Sequence, residues 1–392
     1  VFPLHTWRRI QAKQWKNIPL DALHGGPGLG WAALREAIAA HVAGTRGIKC
    51  TPAQVIVMPS PHAGVLIAGE VLCPPGSIVW TEDPGSPGIR AALTAAGLLP
   101  LPVAVDAEGL SVAEGRRQAP NAPFALVSTA FQFPTGIQLS ANRKKALLDW
   151  SEETGAMLIE DETGCEFRLD RLNAPPLAAM STAGRVIYMN TFSATIFPSL
   201  RLSYLIVPPA LSARFADVLF RTERYATIPN QIVLAEFLAS GNFSKHLRRS
   251  REIVAERRLA LMHALDEECA GLFDANIVDC GLHLLARFAQ RADDVAIAKL
   301  LRDAGISAEP LSSFYARPVF AQRIDDAAIS ALLRDAGVHH ETPGGYHARS
   351  AAGSGLLLGF SGYQPERLRE AAKRLAGVLD GALGRRERAF TG

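Results

Sequence analysis

Residues 188–205 read Tyr188-Met-Asn-Thr-Phe-Ser-Ala-Thr-Ile-Phe-Pro-Ser-Leu-Arg-Leu-Ser-Tyr-Leu205. The stretch reads as the end of one buried strand, a short exposed loop, and a second strand opening near Arg201. Working outward, the same signature recurs. Val55–Met58, Ser77 to Trp80, Leu98 to Val103, Phe124–Ser128, Ala156 to Ile159 and Val186 to Met189 are short apolar runs, and Arg201 to Val207 is the seventh. Helical stretches lie between them at His62 to Val71, in the segment ending at Ala96, at Asn142 to Thr154, and between 170 and 183. Continuous apolar strands alternating with amphipathic helices predict an α/β domain with a mostly parallel seven-stranded sheet covered on both faces. In such sheets ligands sit outside the carboxyl ends of the strands. Gln132, Asp161 and Ala194 all fall just past such ends.

At 392 residues, with 48% apolar and 20% charged residues, the chain has the composition of a globular protein with two lobes. A net charge of +3 gives no argument for nucleic acid or an anionic membrane as a direct partner. The longest apolar run, Ala63 to Leu72, is interrupted by Glu70 and is too short to span a bilayer. Cys50, Cys73, Cys165, Cys269 and Cys280 are odd in number and scattered, which favours reduced thiols in a cytoplasmic protein. His339, His340 and His347 lack the spacing of a metal site and read as loop residues. Gly25-Gly-Pro-Gly-Leu-Gly30 precedes a helix, but without the strand of a dinucleotide fingerprint or the Lys-Ser/Thr of a P-loop.

The predicted organisation is an N-terminal arm with helices over 1–45 packing with the small lobe, a large domain over 46–240, and a linking helix with a small α/β domain over 241–392. Long helical stretches are expected at about 209–239 and 243–268, and a final helix at Pro365 to Leu383. Within the small domain, residues 288–317 and 320–349 align without a gap, and seventeen of the thirty positions are identical. This is a tandem duplication. In its first copy Ile297, Leu300, Leu301 and Ala304 follow the i, i+3, i+4, i+7 pattern of a buried helical face, with Asp293-Asp294 at its start and Gly305 at its end. Ile329, Leu332, Leu333 and Ala336 repeat the pattern in the second.

The run Thr-Phe-Ser-x-x-x-Phe-Pro-x-Leu-Arg-Leu-x-Tyr, with Ile159-Glu-Asp161 and Glu166-Phe-Arg168, resembles the fold-type-I, aminotransferase-like domain of MocR-type regulators within the GntR family. That resemblance covers nearly the whole chain. It implies that Asp161 partners the pyridine nitrogen of pyridoxal phosphate, that Gln132 lies near the ring hydroxyl, and that Ser193 and Arg201 face the phosphate. It also implies a winged helix-turn-helix ahead of the Phe2-Pro3-Leu4 segment in the full regulator, through which DNA would be bound.

The departures from the family pattern are equally specific. The Schiff-base lysine that follows the serine is replaced by Ala194. Thr163 stands where the family has a tyrosine, and Ser86 where it has the Tyr of Asp-Pro-Gly-Tyr-Pro-Gly. Ser60-Pro61-His62 replaces Gly-Ser-Gln, so Pro61 removes a hydroxyl and a backbone N–H from a phosphate-binding helix start. His62 reads either as a ligand contact or as a satisfied helix-start histidine. The eight lysines (Lys13, Lys16, Lys49, Lys144, Lys145, Lys245, Lys299 and Lys373) read as solvated charges away from the strand ends. The expectation is a degenerate, homodimeric, effector-binding domain with no covalent cofactor, pyridoxal phosphate being weakly held or lost. The effector would be a small, amino-acid-like molecule. The rival readings are an enzyme of the same fold that binds pyridoxal or pyridoxamine phosphate non-covalently, and a structural partner with a filled pocket.

Overall fold

A computed structural model describes residues 2–24, 28–167, 175–274, 278–279, 281–316 and 354–382. The chain divides into two compact units, the first from 1–82, 88–131 and 138–251, the second from 83–87, 132–137 and 252–392.

The first unit is built on an eight-stranded sheet. Its strands are β1 (Val55–Met58), β2 (Ile78–Asp83), β3 (Leu99–Asp106), β4 (Gly109–Leu110), β5 (Phe124–Ser128), β6 (Met157–Asp161), β7 (Val186–Thr191) and β8 (Ser203–Ile206). Their order across the sheet is β1-β8-β7-β6-β5-β2-β3-β4. The seven expected strands are present, and the eighth is the two-residue β4, too short to leave an apolar run in the sequence. β5, β6 and β7 pair in parallel, with Ser128 opposite Asp161 and Asp161 opposite Met189. β8 runs antiparallel to both β7 and β1. β1, β6 and β7 therefore point the same way, and their carboxyl ends open on one edge of the sheet.

Residues of β1, β5, β7 and β8 are buried throughout, as strands covered on both faces must be. Side chains alternate between the faces. Ile56, Leu126, Ile187 and Leu205 pack with Val65 and Ala68 of α3 (Pro61–Leu72) and with Phe215 and Leu219 of a later helix, Ser212–Thr222. On the other face Val57, Tyr188 and Tyr204 meet Trp7 of α1 (Leu4–Lys16) and Leu34 and Ile38 of α2 (Ala32–Arg46). The N-terminal helices were expected against the small lobe. They pack instead in the core of the first unit, because Trp7, Ile10, Leu34 and Ile38 form one apolar cluster with Val233 and Phe237.

The helical stretch expected over 209–239 is broken in two. Helix Ser212–Thr222 ends where Glu223 turns left-handed at φ 51°, and a second helix, Ile228–Ala239, starts with a proline in its first turn. Pro229 has no N–H and is tolerated only there, so the break is dictated locally.

The second unit carries a four-stranded antiparallel sheet of β9 (Val278–Asp279), β10 (His283–Arg287), β11 (Glu309–Pro310) and β12 (Gly355–Gly359), ordered β11-β12-β10-β9. The first copy of the duplication forms a helix at Asp294–Asp303 followed by β11, as its pattern requires. Asp293 caps the helix by accepting from the Ala296 N–H, and Gly305 follows it at φ 73°. Asp294 does something else: buried, it accepts from the Ser312 N–H and hydroxyl and from the Gly355 N–H, tying the helix start to two other segments. Ile297 and Leu301 are buried, but Leu300 is 47% exposed, so the apolar face is narrower than its spacing suggested. The second copy lies outside the described residues. The final helix runs Pro365–Ala382.

Candidate functional site

The loop after β7 is closed by its own hydrogen bonds, with Ala194 at its turn. The Phe192 carbonyl accepts from the Thr195 and Ile196 N–H groups, closing a turn with Ala194 inside it. Ser193 donates its N–H to Thr191 Oγ1, and its own Oγ accepts from the Leu202 N–H at 3.2 Å, pinning the two ends of the loop together. The Ser203 hydroxyl reaches Thr191 Oγ1 at 2.8 Å. Thr195 is held from outside by buried His246, whose Nε2 lies 2.7 Å from its carbonyl. Arg201 follows in a left-handed conformation at φ 53°, exposed and in no ion pair among the described residues. That conformation costs on the order of 1 kcal/mol for a residue with a side chain.

Asp161 closes β6. One carboxylate oxygen accepts the Thr163 N–H at 2.9 Å. Burial raises its pKa, opposed by the bonding from Thr163 and by the charge of His62. The buried Thr163 hydroxyl lies beside the Asp161 carboxylate and helps to hold it charged. Ser60 follows β1 and caps α3, its oxygen accepting from the Ala63 N–H. His62 stands exposed in the first turn of α3, over Gly88 of α4 (Pro87–Ala95). A Cβ on Gly88 would lie 2.2 Å from His62 Nε2, so a side chain there would displace the exposed ring from this position.

Of the expected site residues, Asp161, Thr163, Ser193, Arg201, Ser60 and His62 thus belong to the first unit, on loops at the carboxyl ends of β1, β6 and β7. Ser86 and Gln132 belong to segments of the second. Gln132 is fully buried, and its amide donates to the carbonyls of Pro84 and Phe133 while accepting from Thr135. In this structure Gln132 clamps two loops together. Ser86 is half-buried beside them.

Next to Asp161 lies an acidic network that sequence reading did not single out. Glu160 and Glu162 are both fully buried, and Glu162 pairs with Arg46 at the end of α2. Thr129 Oγ1 lies 2.8 Å from Glu160 Oε1 and 2.6 Å from Glu162 Oε1. One hydroxyl has one proton to donate, so one of the two carboxyls must itself carry a proton and donate to Thr129. Glu162 faces the Arg46 guanidinium. Glu160 is the protonated partner: burial and then the Glu162 charge push it up to about 7, although the Leu177 and Ala178 N–H groups also bond it. Glu166 is likewise pushed up to about 7 by burial. It accepts from Asn190 at 2.9 Å, and its second oxygen is buried without a partner. Arg46 Nε is also without one. The signal was in the sequence as Glu160-Asp-Glu162 and Glu166, four carboxyls in seven residues on a predicted buried strand end.

One lysine departs from expectation. Lys144 is 2% exposed, and its Nζ donates to the Pro175 carbonyl at 2.8 Å. It is a buried structural cation, not a solvated charge. No group of three or more His, Cys, Asp or Glu residues suited to a metal occurs among the described residues. Nor is any helix there long and apolar enough to cross a membrane.

Parallel strands with acid at the end of β6 and a pinned loop after β7 define a class of protein, and the chain belongs to it: residues 21–330 match the aminotransferase class I and II family. Within that class it is similar to regulators. It is 32% identical over 320 residues to the "Probable rhizopine catabolism regulatory protein MocR" of Rhizobium meliloti, covering 81% of this chain and 64% of MocR. It is 30% identical over 317 residues to the HTH-type transcriptional regulator YdeL of Bacillus subtilis, covering 80% of this chain and 67% of YdeL. The chain therefore spans about two-thirds of the length of these relatives. The fold is that of a solved archaeal alanine:glyoxylate aminotransferase, at a TM-score of 0.82 and 20% identity over 97% of this chain and 88% of that one.

Proposed function

We propose that this chain is the effector-binding and dimerising part of a MocR/GntR-type transcriptional regulator, an aminotransferase fold that no longer holds pyridoxal phosphate covalently. The reading places it in the cytoplasm, with DNA bound through an N-terminal domain outside this chain. The observation that carries it is Ala194. The loop around that residue is fully framed by Thr191, Ser193, Thr195 and Leu202, yet it presents a methyl group where the fold's chemistry needs an amine.

The residues present fit non-covalent retention of a pyridine-type ring better than attachment. Pyridoxal phosphate, when bound, supplies an electron sink for reactions at an amino-acid carbon. This chain would offer it Asp161 as an acidic partner, the neighbouring Thr163 hydroxyl, and Ser193 and Arg201 near its phosphate. Burial of Asp161 without an ion pair among the described residues favours any ligand that brings a donor or a positive charge to it. An effector of that kind is recognised by Asp161 and Thr163 together and is not turned over.

The test is a titration with pyridoxal 5′-phosphate, read by absorbance and by retention on a desalting column. Reversible, non-covalent uptake that weakens about tenfold or more in Asp161→Asn supports the placement. Uptake equal in the variant, or steady transamination of any amino acid by the native chain, contradicts it.

A further inference from the structure

The second unit contains a pocket that the reading above does not use. It encloses about 800 Å³ and is lined by the loop from Gly305 to Glu309, by the end of β12 and the turn after it, and by the first half of the final helix. That volume is within the range of sites that hold small organic molecules. Its walls are predominantly apolar and partly aromatic: Phe133, Phe314, Phe360, Leu261, Leu368 and Leu375. The Phe133 ring stands edge-on to Phe314, with centroids 5.0 Å apart at 88°, and 6.1 Å from the imidazole of His283.

His283 is the polar group in this wall that stands out. It sits on β10 opposite Gly359, half-buried, and its ring makes no hydrogen bond among the described residues. Burial lowers its pKa, so the imidazole is neutral at neutral pH and keeps one nitrogen as an acceptor. The cations on the rim are already engaged. Arg367 lies 3.3 Å from Glu370, and Arg374 donates to the Ala304 carbonyl. An anionic ligand would find no free partner in them, and a strongly cationic one would have to break the Arg367–Glu370 pair.

We propose that this pocket binds a small neutral aromatic molecule that donates one hydrogen bond to His283. The ring packs among Phe133, Phe314 and the leucines, and its N–H or O–H meets the imidazole nitrogen. The site shares no residue with the Asp161 cluster, but it is not isolated within its own unit. Phe133 and Pro87 directly follow Gln132 and Ser86, and the Gln132 amide bonds the carbonyls of Pro84 and Phe133. A ligand here presses on the two segments that carry both residues.

Indole, 1-methylindole and benzoate, each added to the full chain, separate the possibilities by ligand-observed saturation-transfer NMR. Indole is expected to bind, with 1-methylindole, which lacks the donor, and benzoate, which is anionic, each about tenfold weaker or worse. His283→Phe keeps the aromatic volume and loses the acceptor. It should weaken indole about tenfold and leave 1-methylindole unchanged. Ala371→Trp, on the half-exposed rim, should fill the pocket and abolish binding of both while thermal unfolding stays that of the native chain. No transfer to indole at millimolar concentration overturns the proposal. So does equal binding of indole and 1-methylindole, or indole binding unchanged in either variant.

Discussion

The loop after β7 and the acidic network beside Asp161 lie at the same edge of one sheet, and they have opposite deficits. In the loop the frame is bonded and position 194 carries a methyl group. Phe192, Thr191 and Ser193 close the loop around Ala194 by backbone and hydroxyl bonds. In the network the charges are present and the partners are short. Buried Glu160 and Glu162 and half-buried Glu166 have one arginine beside them, paired with Glu162, and Glu166 Oε2 and Arg46 Nε are left unpaired. Changing the side chain at position 194 of such a loop costs the fold little, since the loop is held by other atoms. Removing a partner from a crowded buried network is expensive, because the charge it neutralised cannot reach water.

That asymmetry is open to breaking, and Arg46→Ala should show the largest effect. It strands Glu162 at 1% exposure, and a loss of about 3–5 kcal/mol in unfolding free energy is expected from denaturant titration. A loss under about 1 kcal/mol would mean that the network is not held by charge.

The next effect is a pH slope. Glu160 and Glu166 both titrate higher in the folded chain, at about 7, than at their ordinary value of 4.5. A raised carboxyl binds its proton more tightly in the folded state. Its contribution is therefore fully present below pH 4.5 and is lost as pH rises through about 7. Stability should fall across that window, and Glu160→Gln should flatten the fall. A native chain whose stability rises between pH 5 and 7 in the same buffers, or a Glu160→Gln chain with an undiminished slope, would refute the protonated Glu160.

Smaller again is Thr129→Val. Losing the hydroxyl between Glu160 and Glu162 should cost about 1–3 kcal/mol by denaturant titration. Ala194→Lys should cost the least of the four, within about 1 kcal/mol of the native chain, because Ala194 carries none of the loop's bonds.

The same contrast explains what was legible in the sequence. Apolar runs and their spacing revealed seven strands and the parallel architecture, because burial on both faces leaves no other residue types available. The first copy of the duplication was readable for a similar reason: Asp293, the apolar spacing and Gly305 each have one dominant structural use. What stayed hidden depends on long-range partners. Nothing local to Arg46 says that it meets Glu162 more than a hundred positions away. Nothing local to Lys144 says that it will be buried on a carbonyl, and nothing in Trp7 or Leu34 says which unit they will join. Gln132 shows the limit from the other side. Its position past a strand end suggested a ligand contact, whereas its amide is engaged with two loop carbonyls. Leu300 shows that helical spacing defines a face, while packing decides how wide the buried part of it is.

The central proposal is that the fold has kept the frame of an aminotransferase site without a covalent anchor at position 194. Borohydride reduction with pyridoxal 5′-phosphate, followed by intact mass and peptide mapping, tests it on the native chain and on Ala194→Lys side by side. The account predicts no stoichiometric adduct on the native chain and one adduct, mapped to position 194, on the variant. A single stoichiometric adduct on any lysine of the native chain, Lys144 included, would contradict it.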